Sequence, residues 1–514
     1  MLQSEVAEVM KALVWAIKEN YTSHRIIITC RYDFEFSQLQ YFHKQPLDAL
    51  QGADLQKKFN RLTAFSAKSQ VDEGLKSQAQ KLADGNPRLL EWLDKLLVAP
   101  HPLTPSPQAR RGDRITHEEK RGDDESVDVA AILNRLAADP VELREQVLAE
   151  ALLEQMDTIM REMLSRGLVF ELPVPREALA AVCDTIPNLS HYISRAVALG
   201  LLEVSHDQAL RVPRILPVQL GDGEVLYKQA AEVLYRLWWE DAKTSIEEQK
   251  LEIHRLALLG KEEKKAADIA SSLVHRWRQK SRFREAVQLC KSTLEITEDY
   301  RILKEMAYCK SQVGEVAQAL KHYQQALNLC PSEDKQEQAS ISHCLGILKA
   351  NRGEIEEAIA LYQQSLALKE QIGDVQDKAA TLHNLGHLKA NKGEIEEAIA
   401  LYEKSFAINE QIGNVQGKAA TLHCLGGLKA NKGEIEEAIA LFQQSLAIEE
   451  QIGDVQGKAM TLWWLGGMAE QQGDYNKALD YLQPALEILQ RIQSPYAESV
   501  GQVVARVQDL IRNS

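Results

Sequence analysis

The sequence has few cysteines, little clustered positive charge and no long apolar run, and each shortage excludes a class of protein. Its seven cysteines are an odd number without Cys-x-x-Cys spacing, which argues against a disulfide framework or a zinc site and predicts reduced thiols. The net charge of −14 argues against a nucleic-acid partner, because binding phosphates needs clustered Lys and Arg. Without a membrane-length apolar segment or an export signal, we expect no membrane partner and a cytoplasmic location.

What the chain does contain is a set of close internal copies near its C-terminus. Aligning the segment 351–390 with the segment 391–430 leaves 10 mismatches, so three quarters of the positions are identical. Leu-Gly pairs recur at the same interval, at 345–346, 385–386, 425–426 and 465–466. A fixed period of this size indicates stacked units that cannot bury their apolar faces alone. The sequence therefore predicts a helical solenoid, a class that usually binds other chains.

One unit shows how the copies fold. The leucines at 382, 385 and 388 follow helical spacing, and Gly393 suits the left-handed position that ends a helix. Glu394 and the acids after it begin a second helix at its positive end. Gly386 and Ala398 are small, so the two helices can approach closely. Asn414, which is Asp374 or Asp454 in sister copies, can cap the next helix.

The spacing of Leu-Gly, then Gly, then Ala-x3-Tyr resembles the tetratricopeptide repeat. Two features are similar to the longer, kinesin-light-chain variety of this repeat. One is the repeat length, measured along the chain from Leu385 to Leu425, and the other is the Glu-Gln-Ile-Gly-Asp/Asn-Val-Gln connector. One departure is that lysine replaces the usual aromatic residue, at Lys349, Lys389 and Lys429. The resemblance implies a solenoid domain over 267–514. Residues 496–511 are expected to form a helix that closes its last apolar face.

The N-terminal region has a different character. Residues 25–31, Arg-Ile-Ile-Ile-Thr-Cys-Arg, are typical of a central strand in a parallel sheet. No second convincing strand follows before position 99, yet a parallel strand needs neighbours. We therefore interpret 1–99 as the last part of an α/β domain whose earlier strands are absent from this chain.

Thr-Cys-Arg after the Ile run, followed by Gly-Asn-Pro-Arg-Leu-Leu-Glu-Trp-Leu at 85–93, resembles the nucleotide-binding core of STAND-class signalling NTPases, relatives of the NB-ARC proteins. The resemblance covers about 1–99. It implies that Arg31 would read a γ-phosphate and that Pro87 would pack against adenine. No Gly-x4-Gly-Lys-Ser/Thr motif occurs, so we expect no enzyme activity, no catalytic residue and no cofactor. ATP or ADP would bind only if a separate P-loop-bearing chain supplied the missing half.

Residues 101–127 are rich in proline and charge and predict a disordered linker, with a basic docking peptide as the alternative. Residues 128–218 resemble the winged helix that follows the STAND core. Helices are expected at 129–137, 141–166, 176–182 and 188–199, with strands at 201–204 and 209–215. The helix at 188–199 offers Arg195 and no lysine, which favours a structural arm over a DNA reader. Residues 219–266 are predicted to be a helical bridge.

Candidate partner-binding residues follow from the repeat positions. In tetratricopeptide proteins the corresponding residues of each first helix face a concave groove. A His pair at i, i+4 could chelate zinc, but no acid or cysteine accompanies it at ligand spacing, so we predict no metal site. The predicted groove residues are His343, Asn351, His383, His387, Asn391, His423, Asn431, Trp463 and Gln471.

The predicted fold class is mainly α: a partial α/β remnant, a winged helix, then a right-handed α-solenoid of tetratricopeptide repeats. The predicted function is a protein-interaction scaffold that binds a protein or peptide in its groove as the sensor half of a STAND-type protein. A separately encoded P-loop NTPase half is a second expected partner. The alternatives are a freestanding adaptor with a vestigial N-terminus and a winged-helix transcriptional regulator.

Overall fold

The computed structural model describes residues 50–66, 69–98, 127–140, 143–221, 223–242 and 245–512. Within these ranges nearly all of the regular elements are helices, as predicted. The strand expected at 25–31, Arg31 itself and residues 101–126 of the expected linker lie outside the described residues. The described chain belongs to two units, one up to Leu168 with Thr185–Gln219, the other Val169–Asp184 with Leu220 onward.

The regular elements that precede the repeats are short. The helices are Gly52–Phe59, Glu73–Ala83, Pro87–Val98, Val129–Ala138, Arg144–Glu154, Thr158–Gly167, Arg176–Val182, Leu189–Ala198, Glu224–Leu234 and Glu247–Leu259. A π-helical turn, Tyr235–Glu240, extends the helix that ends at Leu234. Two strands, Glu203–Val204 and Leu210–Arg211, pair antiparallel.

The single helix predicted over 141–166 is wrong, because the structure divides it into Arg144–Glu154 and Thr158–Gly167. Asp157 accounts for the break. Its backbone is extended (φ −66°, ψ 170°) and its side chain accepts a hydrogen bond from Met160 N at 2.7 Å. An aspartate in this position begins a new helix, since it satisfies an N–H group that has no partner inside the helix.

The predicted hairpin is present but shorter than expected. Its register pairs Glu203 with Arg211 and Val204 with Leu210, and Ser205 N donates to Ala209 O across the turn at 2.9 Å. Pro213 lacks the N–H that would continue the ladder. The helix Arg176–Val182 belongs to the second unit, so the domain boundary at 128–218 stays a prediction.

From Glu263 onward the chain is a series of helix pairs. Glu263–Gln279 is followed by Phe283–Leu294, and Tyr300–Gln312 by Val316–Leu329. We number the four near-identical pairs as repeats I to IV and call their members first and second helix. They are Lys335–Asn351 with Ile355–Ile372, Val375–Asn391 with Ile395–Gln411, Val415–Asn431 with Ile435–Ile452, and Val455–Gln471 with Tyr475–Arg491.

The core clusters at the interfaces between repeats I to IV join the second helix of one repeat to the first helix of the next. Ala398 and Tyr402 of repeat II pack with Leu425 and Leu428 of repeat III. The cluster at the next interface has the same positions, Ala438, Phe442, Leu465 and Met468. Because the apolar contacts cross the repeat boundary, a single repeat leaves both of its faces open, and the α-solenoid is the arrangement that covers them.

The turns follow the sequence signals closely. Gly393 has φ +79° after the first helix of repeat II, the left-handed conformation that glycine adopts without cost. Asp374 and Asn414 accept hydrogen bonds from the backbone N–H three residues ahead, at 3.1 and 3.0 Å. These caps and glycines recur at every repeat, and they set the sharp reversals between helices.

The lysines that replace the usual aromatic residue form ion pairs. Lys389 Nζ lies 2.5 Å from a Glu394 oxygen and 3.0 Å from a Glu397 oxygen. The pairs tie the end of the first helix to the acidic first turn of the second. After repeat IV, the helix Ala497–Arg512 buries Val500, Val504 and Val507 against Leu482 and Leu489, so it covers the last apolar face as predicted.

Candidate functional site

The candidate site is the exposed side of the first helices of repeats I to IV, which we call the groove face. A histidine recurs there at one repeat position, as His343, His383 and His423. Its Nδ1 atom lies 3.0, 3.4 and 2.8 Å from a threonine hydroxyl of the following repeat. Those threonines are Thr381, Thr421 and Thr461, and all three are fully buried.

The threonines determine which imidazole nitrogen carries the proton. Thr421 Oγ1 donates to Gly417 O at 2.8 Å, and Thr461 Oγ1 donates to Glu449 Oε1 at 3.0 Å. A hydroxyl has one proton to donate, so each threonine oxygen must accept from its histidine. We therefore assign the Nδ1–H tautomer, which leaves Nε2 as a hydrogen-bond acceptor.

Each imidazole also packs against an aromatic ring of its own repeat. The ring centroids are 5.5 Å apart for His343 and Tyr362, and 5.2 Å apart for His383 and Tyr402. Burial, with a smaller effect from Lys369, lowers the pKa of His343 to about 4. Burial, with His387 nearby, lowers the pKa of His383 to about 4. The imidazoles are thus neutral near pH 7.

The other predicted groove residues that are polar lie on the same helices, and their side chains are exposed. Asn351, Asn391, Asn431 and Gln471 are exposed at the C-terminal ends of the four first helices. His387 is exposed too, and its Nδ1 accepts from Asn391 Nδ2 at 3.4 Å. These amides can donate and accept hydrogen bonds, so they suit a polypeptide backbone.

The two tryptophans of repeat IV occupy different surroundings. Trp463 is half-buried, packs against the core cluster of the closing helix and lies 6.1 Å from the ring of Tyr496. Trp464 is 38% exposed and stacks on Phe442, with ring centroids 5.6 Å apart and planes at 17°. The sequence interpretation chose Trp463 and missed Trp464. The sequence could have indicated Trp464 as a candidate, because it directly follows the position that is histidine in repeats I to III.

A second polar position, at the repeat interfaces, was also missed. Its occupants, Lys369, Asn409 and Glu449, belong to the second helices of repeats I to III and are 2–3% exposed. Lys369 Nζ donates to Thr381 Oγ1 at 2.7 Å and to Asp377 O at 3.0 Å. On a sequence these residues resemble solvated helix positions. Here each meets the threonine-bearing helix of the next repeat or its cap.

Of Lys369, Asn409 and Glu449, the glutamate has a buried polar atom without a hydrogen-bond partner. Its Oε1 accepts from Ser445 and Thr461 at 2.9 and 3.0 Å, whereas its Oε2 is buried without a hydrogen-bond partner. Burial raises the pKa of Glu449, and the Asp454 carboxylate adds to that effect. The ionised form is therefore the unfavourable one in the folded chain.

We expect Glu449→Gln to stabilise the repeats by about 1 kcal/mol near pH 8, because it removes a buried charge with an unpaired oxygen. A raised folded-state pKa means that the charge destabilises the fold above that pKa and not below the unfolded value. The gain should therefore shrink toward zero as the pH falls to about 4.5. Urea unfolding followed by circular dichroism across this pH range measures it.

Glu450→Gln is the matched control. Glu450 is exposed and pairs with Lys458 at 2.8 Å, so its replacement should change stability by at most about 0.5 kcal/mol. A pH-independent loss of stability in Glu449→Gln would show that the carboxylate is favourable where it lies.

Of the two residues predicted to contact a nucleotide, the structure describes Pro87. Pro87 is exposed at the first position of the helix Pro87–Val98, where proline's missing N–H has no cost. Asn86 Oδ1 caps that helix by accepting from Arg88 N and Leu89 N at 3.0 and 3.1 Å. Arg31 lies outside the described residues. Over the described part of the chain, no three His, Cys, Asp or Glu side chains come together as metal ligands.

A tetratricopeptide-repeat family profile matches residues 298–371, 337–411, 377–451 and 417–491. The helix pairs from Tyr300 to Arg491 are tetratricopeptide repeats. Repeats of this family are protein–protein interaction scaffolds, and this region of the chain is such a scaffold. No helix in the described ranges is long and apolar enough to cross a membrane.

Several solved structures are similar to all or part of the chain. A STAND protein of Pyrococcus horikoshii with a tetratricopeptide repeat sensor is 15% identical, with a TM-score of 0.49, covering 90% of this chain and 66% of that one. BtubC of P. vanneervenii is 19% identical (TM-score 0.35, 44% and 92% covered). A Podosopora anserina protein with nearly identical TPR-like repeats is 22% identical (TM-score 0.32, 38% and 96% covered). No curated protein matches the sequence.

Proposed function

We propose that this chain is the sensor half of a STAND-type signalling protein whose tetratricopeptide repeats bind a protein or peptide on the groove face. The observation that carries the proposal is the repetition of that face. The same two side-chain positions present histidine and asparagine from the first helices of repeats I to III, and Trp463 and Gln471 from that of repeat IV. An extended polypeptide also repeats its backbone groups at regular intervals, so it can use such a ladder.

The STAND part of the proposal rests on the N-terminal motifs and on the turn before Pro87. Gly85 has φ +76°, and the Asn86 cap holds the next helix so that Pro87 is exposed at its start. In this proposal Pro87 and Arg31 contact a nucleotide only when a separate P-loop-bearing chain supplies the phosphate and Mg²⁺ ligands. The chain alone then acts in recognition and not in hydrolysis.

Capture with matched variants tests both parts. The immobilised full chain is incubated with extract of its source cells, beside two variants. The groove variant is His383→Ala with Asn391→Ala and Asn431→Ala, and the outer-face variant is Glu356→Gln with Glu396→Gln and Glu436→Gln. Proteins identified by mass spectrometry should include one kept by the outer-face variant and lost by the groove variant, with its affinity then measured on purified material.

The outcomes separate the alternatives. A ligand lost from the outer-face variant and kept by the groove variant contradicts the groove proposal. A captured P-loop protein that both variants retain supports the STAND half, whereas a groove ligand without any P-loop protein favours a freestanding adaptor. Circular dichroism of both variants confirms that the helices remain folded.

A further inference from the structure

We infer that the groove face selects an uncharged, extended peptide segment that donates N–H groups to the histidine ladder and places an apolar ring against Trp464. The inference rests on the proposed function and specifies its ligand. It depends on three properties of the described residues: the direction of the hydrogen bonds, the absence of a free cation, and the open space beside Trp464.

The hydrogen-bonding direction is fixed by the buried threonines. Thr381, Thr421 and Thr461 donate their hydroxyl protons to Asp377 O, Gly417 O and Glu449 Oε1. Their oxygens therefore accept a hydrogen bond from the Nδ1–H group of each histidine, and the imidazole can offer only its Nε2 lone pair to a ligand. The three histidines are half-buried and not enclosed, so Nε2 is the polar imidazole atom left for a ligand. A ladder of acceptors needs donors, and backbone N–H groups of an extended segment are regularly spaced donors.

Every lysine on the first helices of repeats II to IV is already paired with a carboxylate. Lys378, Lys418 and Lys458 pair with glutamates at 2.9, 2.7 and 2.8 Å, and Lys389 and Lys429 pair with acids of their second helices. The predicted groove residues, together with Gly427 and Trp464, include no lysine or arginine. An acidic peptide would find no unpaired lysine on these described helices, and neutral imidazoles would not attract it.

The apolar end of the face is open on one side. The His423–Thr461 hydrogen bond aligns the first helices of repeats III and IV. Gly427 lies one helical turn after His423, and Trp464 lies almost one turn after Thr461. Gly427 and Trp464 are therefore at a similar height on two neighbouring helices, one turn beyond the His423–Thr461 hydrogen bond. A Cβ atom at Gly427 would meet nothing within 4 Å, whereas the equivalent position in repeat II is the exposed His387.

Trp464 is suited to be the anchor at this end. Its indole stacks on the buried Phe442, which holds its orientation, while 38% of the residue stays exposed. A rigid, partly exposed tryptophan binds apolar or aromatic groups at low entropic cost and is a typical interface hot spot. The equivalent residues are Cys344, Asn384 and Cys424, so the anchor occurs once among these repeats and fixes the direction of the peptide.

A display experiment tests the inference. A library of random linear peptides is selected against the full chain, and affinities of enriched peptides are measured by fluorescence anisotropy. Enriched peptides should carry an aromatic residue or proline and should be depleted in Asp and Glu. Trp464→Asn and Gly427→His, which place sister-repeat residues at these positions, should each weaken binding by about tenfold or more. The exposed Glu403→Gln in a second helix is the control and should change nothing.

The pH dependence gives an independent measurement. His343 contacts Thr381 and Tyr362 with Lys369 nearby, and His383 contacts Thr421 and Tyr402 with His387 nearby. His423 contacts Thr461 and Phe442, and Glu449 lies behind Thr461. The contribution of His343 and His383 to affinity should be constant from about pH 8 to pH 5.5, because burial lowers the pKa of both imidazoles to about 4.

Different results would contradict the inferred peptide chemistry and the proposed function. Enrichment of acidic peptides that lose affinity in the groove variant, or affinity that rises as the pH falls to about 6, overturns this inference and leaves the proposed function standing. Peptides that bind equally to the Trp464→Asn, Gly427→His and groove variants overturn both. A selection that enriches no linear peptide overturns this inference and leaves the binding of a folded protein on the groove face standing.

Discussion

Replacing Tyr402 with alanine should destabilise repeats II and III by about 3–5 kcal/mol, the range for truncating a buried aromatic side chain. Tyr402 is 2% exposed and belongs to the cluster that joins the two repeats. Its ring also packs against His383 at 5.2 Å and would lie 3.2 Å from a Cβ at Gly386. One substitution therefore opens the repeat interface, the helix hairpin and the support of a groove histidine together.

Hydrogen exchange measured by mass spectrometry suits this prediction, because stability in a repeat array is local. Protection should fall in the helices Val375–Asn391, Ile395–Gln411 and Val415–Asn431, and it should remain in the helices before Lys335. Tyr402→Phe is the matched control, since repeat III carries Phe442 at the same position in the same kind of cluster. It should cost about 1 kcal/mol or less. Equal losses in both variants would show that the hydroxyl, and not the ring, supports the interface.

Gly466→Ala should destabilise repeat IV by about 1–3 kcal/mol through overpacking. An added Cβ would lie 2.5 Å from Leu482 Cγ and 2.8 Å from its Cδ2. Leu482 is fully buried in the cluster beneath the closing helix, so it cannot move aside without disturbing that cluster. The loss should appear as reduced exchange protection in the helices Val455–Gln471 and Tyr475–Arg491.

The neighbouring glycine is a built-in control. A Cβ at Gly467 would meet nothing within 4 Å, and both glycines lie inside the same helix. Gly467→Ala should therefore gain up to about 1 kcal/mol from helix propensity alone. The difference between the two variants isolates the close approach of the helices. If both variants are stabilised, the first helix of repeat IV is not held against Leu482 as the structure shows.

The repeat architecture could be predicted from the sequence because its signals are local or periodic. Helix ends at Gly393 and caps at Asn414 follow from the chemistry of single residues. The fixed period predicts a solenoid because it shows that every copy exposes the same apolar face. The prediction of one continuous helix over 141–166 was wrong because it relied on the apolar spacing alone. Apolar spacing continues across Asp157, and a competing cap outweighs that spacing.

The candidate site was only partly predictable. Repetition identified the histidine position, but it did not show that a buried threonine of the next repeat binds each imidazole. It also did not distinguish Trp463 from Trp464. Adjacent residues on a helix are separated by about 100°, so one packs beneath the closing helix and the other remains exposed. Which of the two is exposed depends on the neighbouring helix, and that helix is distant in the sequence.

The sequence by itself determined the kind of unit, its length, its turns and the need for stacking, since all of these depend on residues within one copy. Only the tertiary structure decided which side chains meet across copies. Lys369 and Glu449 show the difference, because at a helix position that looks solvated both are buried against the following repeat. The angle at which one repeat stacks on the next arises from the packing of whole helices. That angle places the histidines on their threonines and leaves Trp464 exposed.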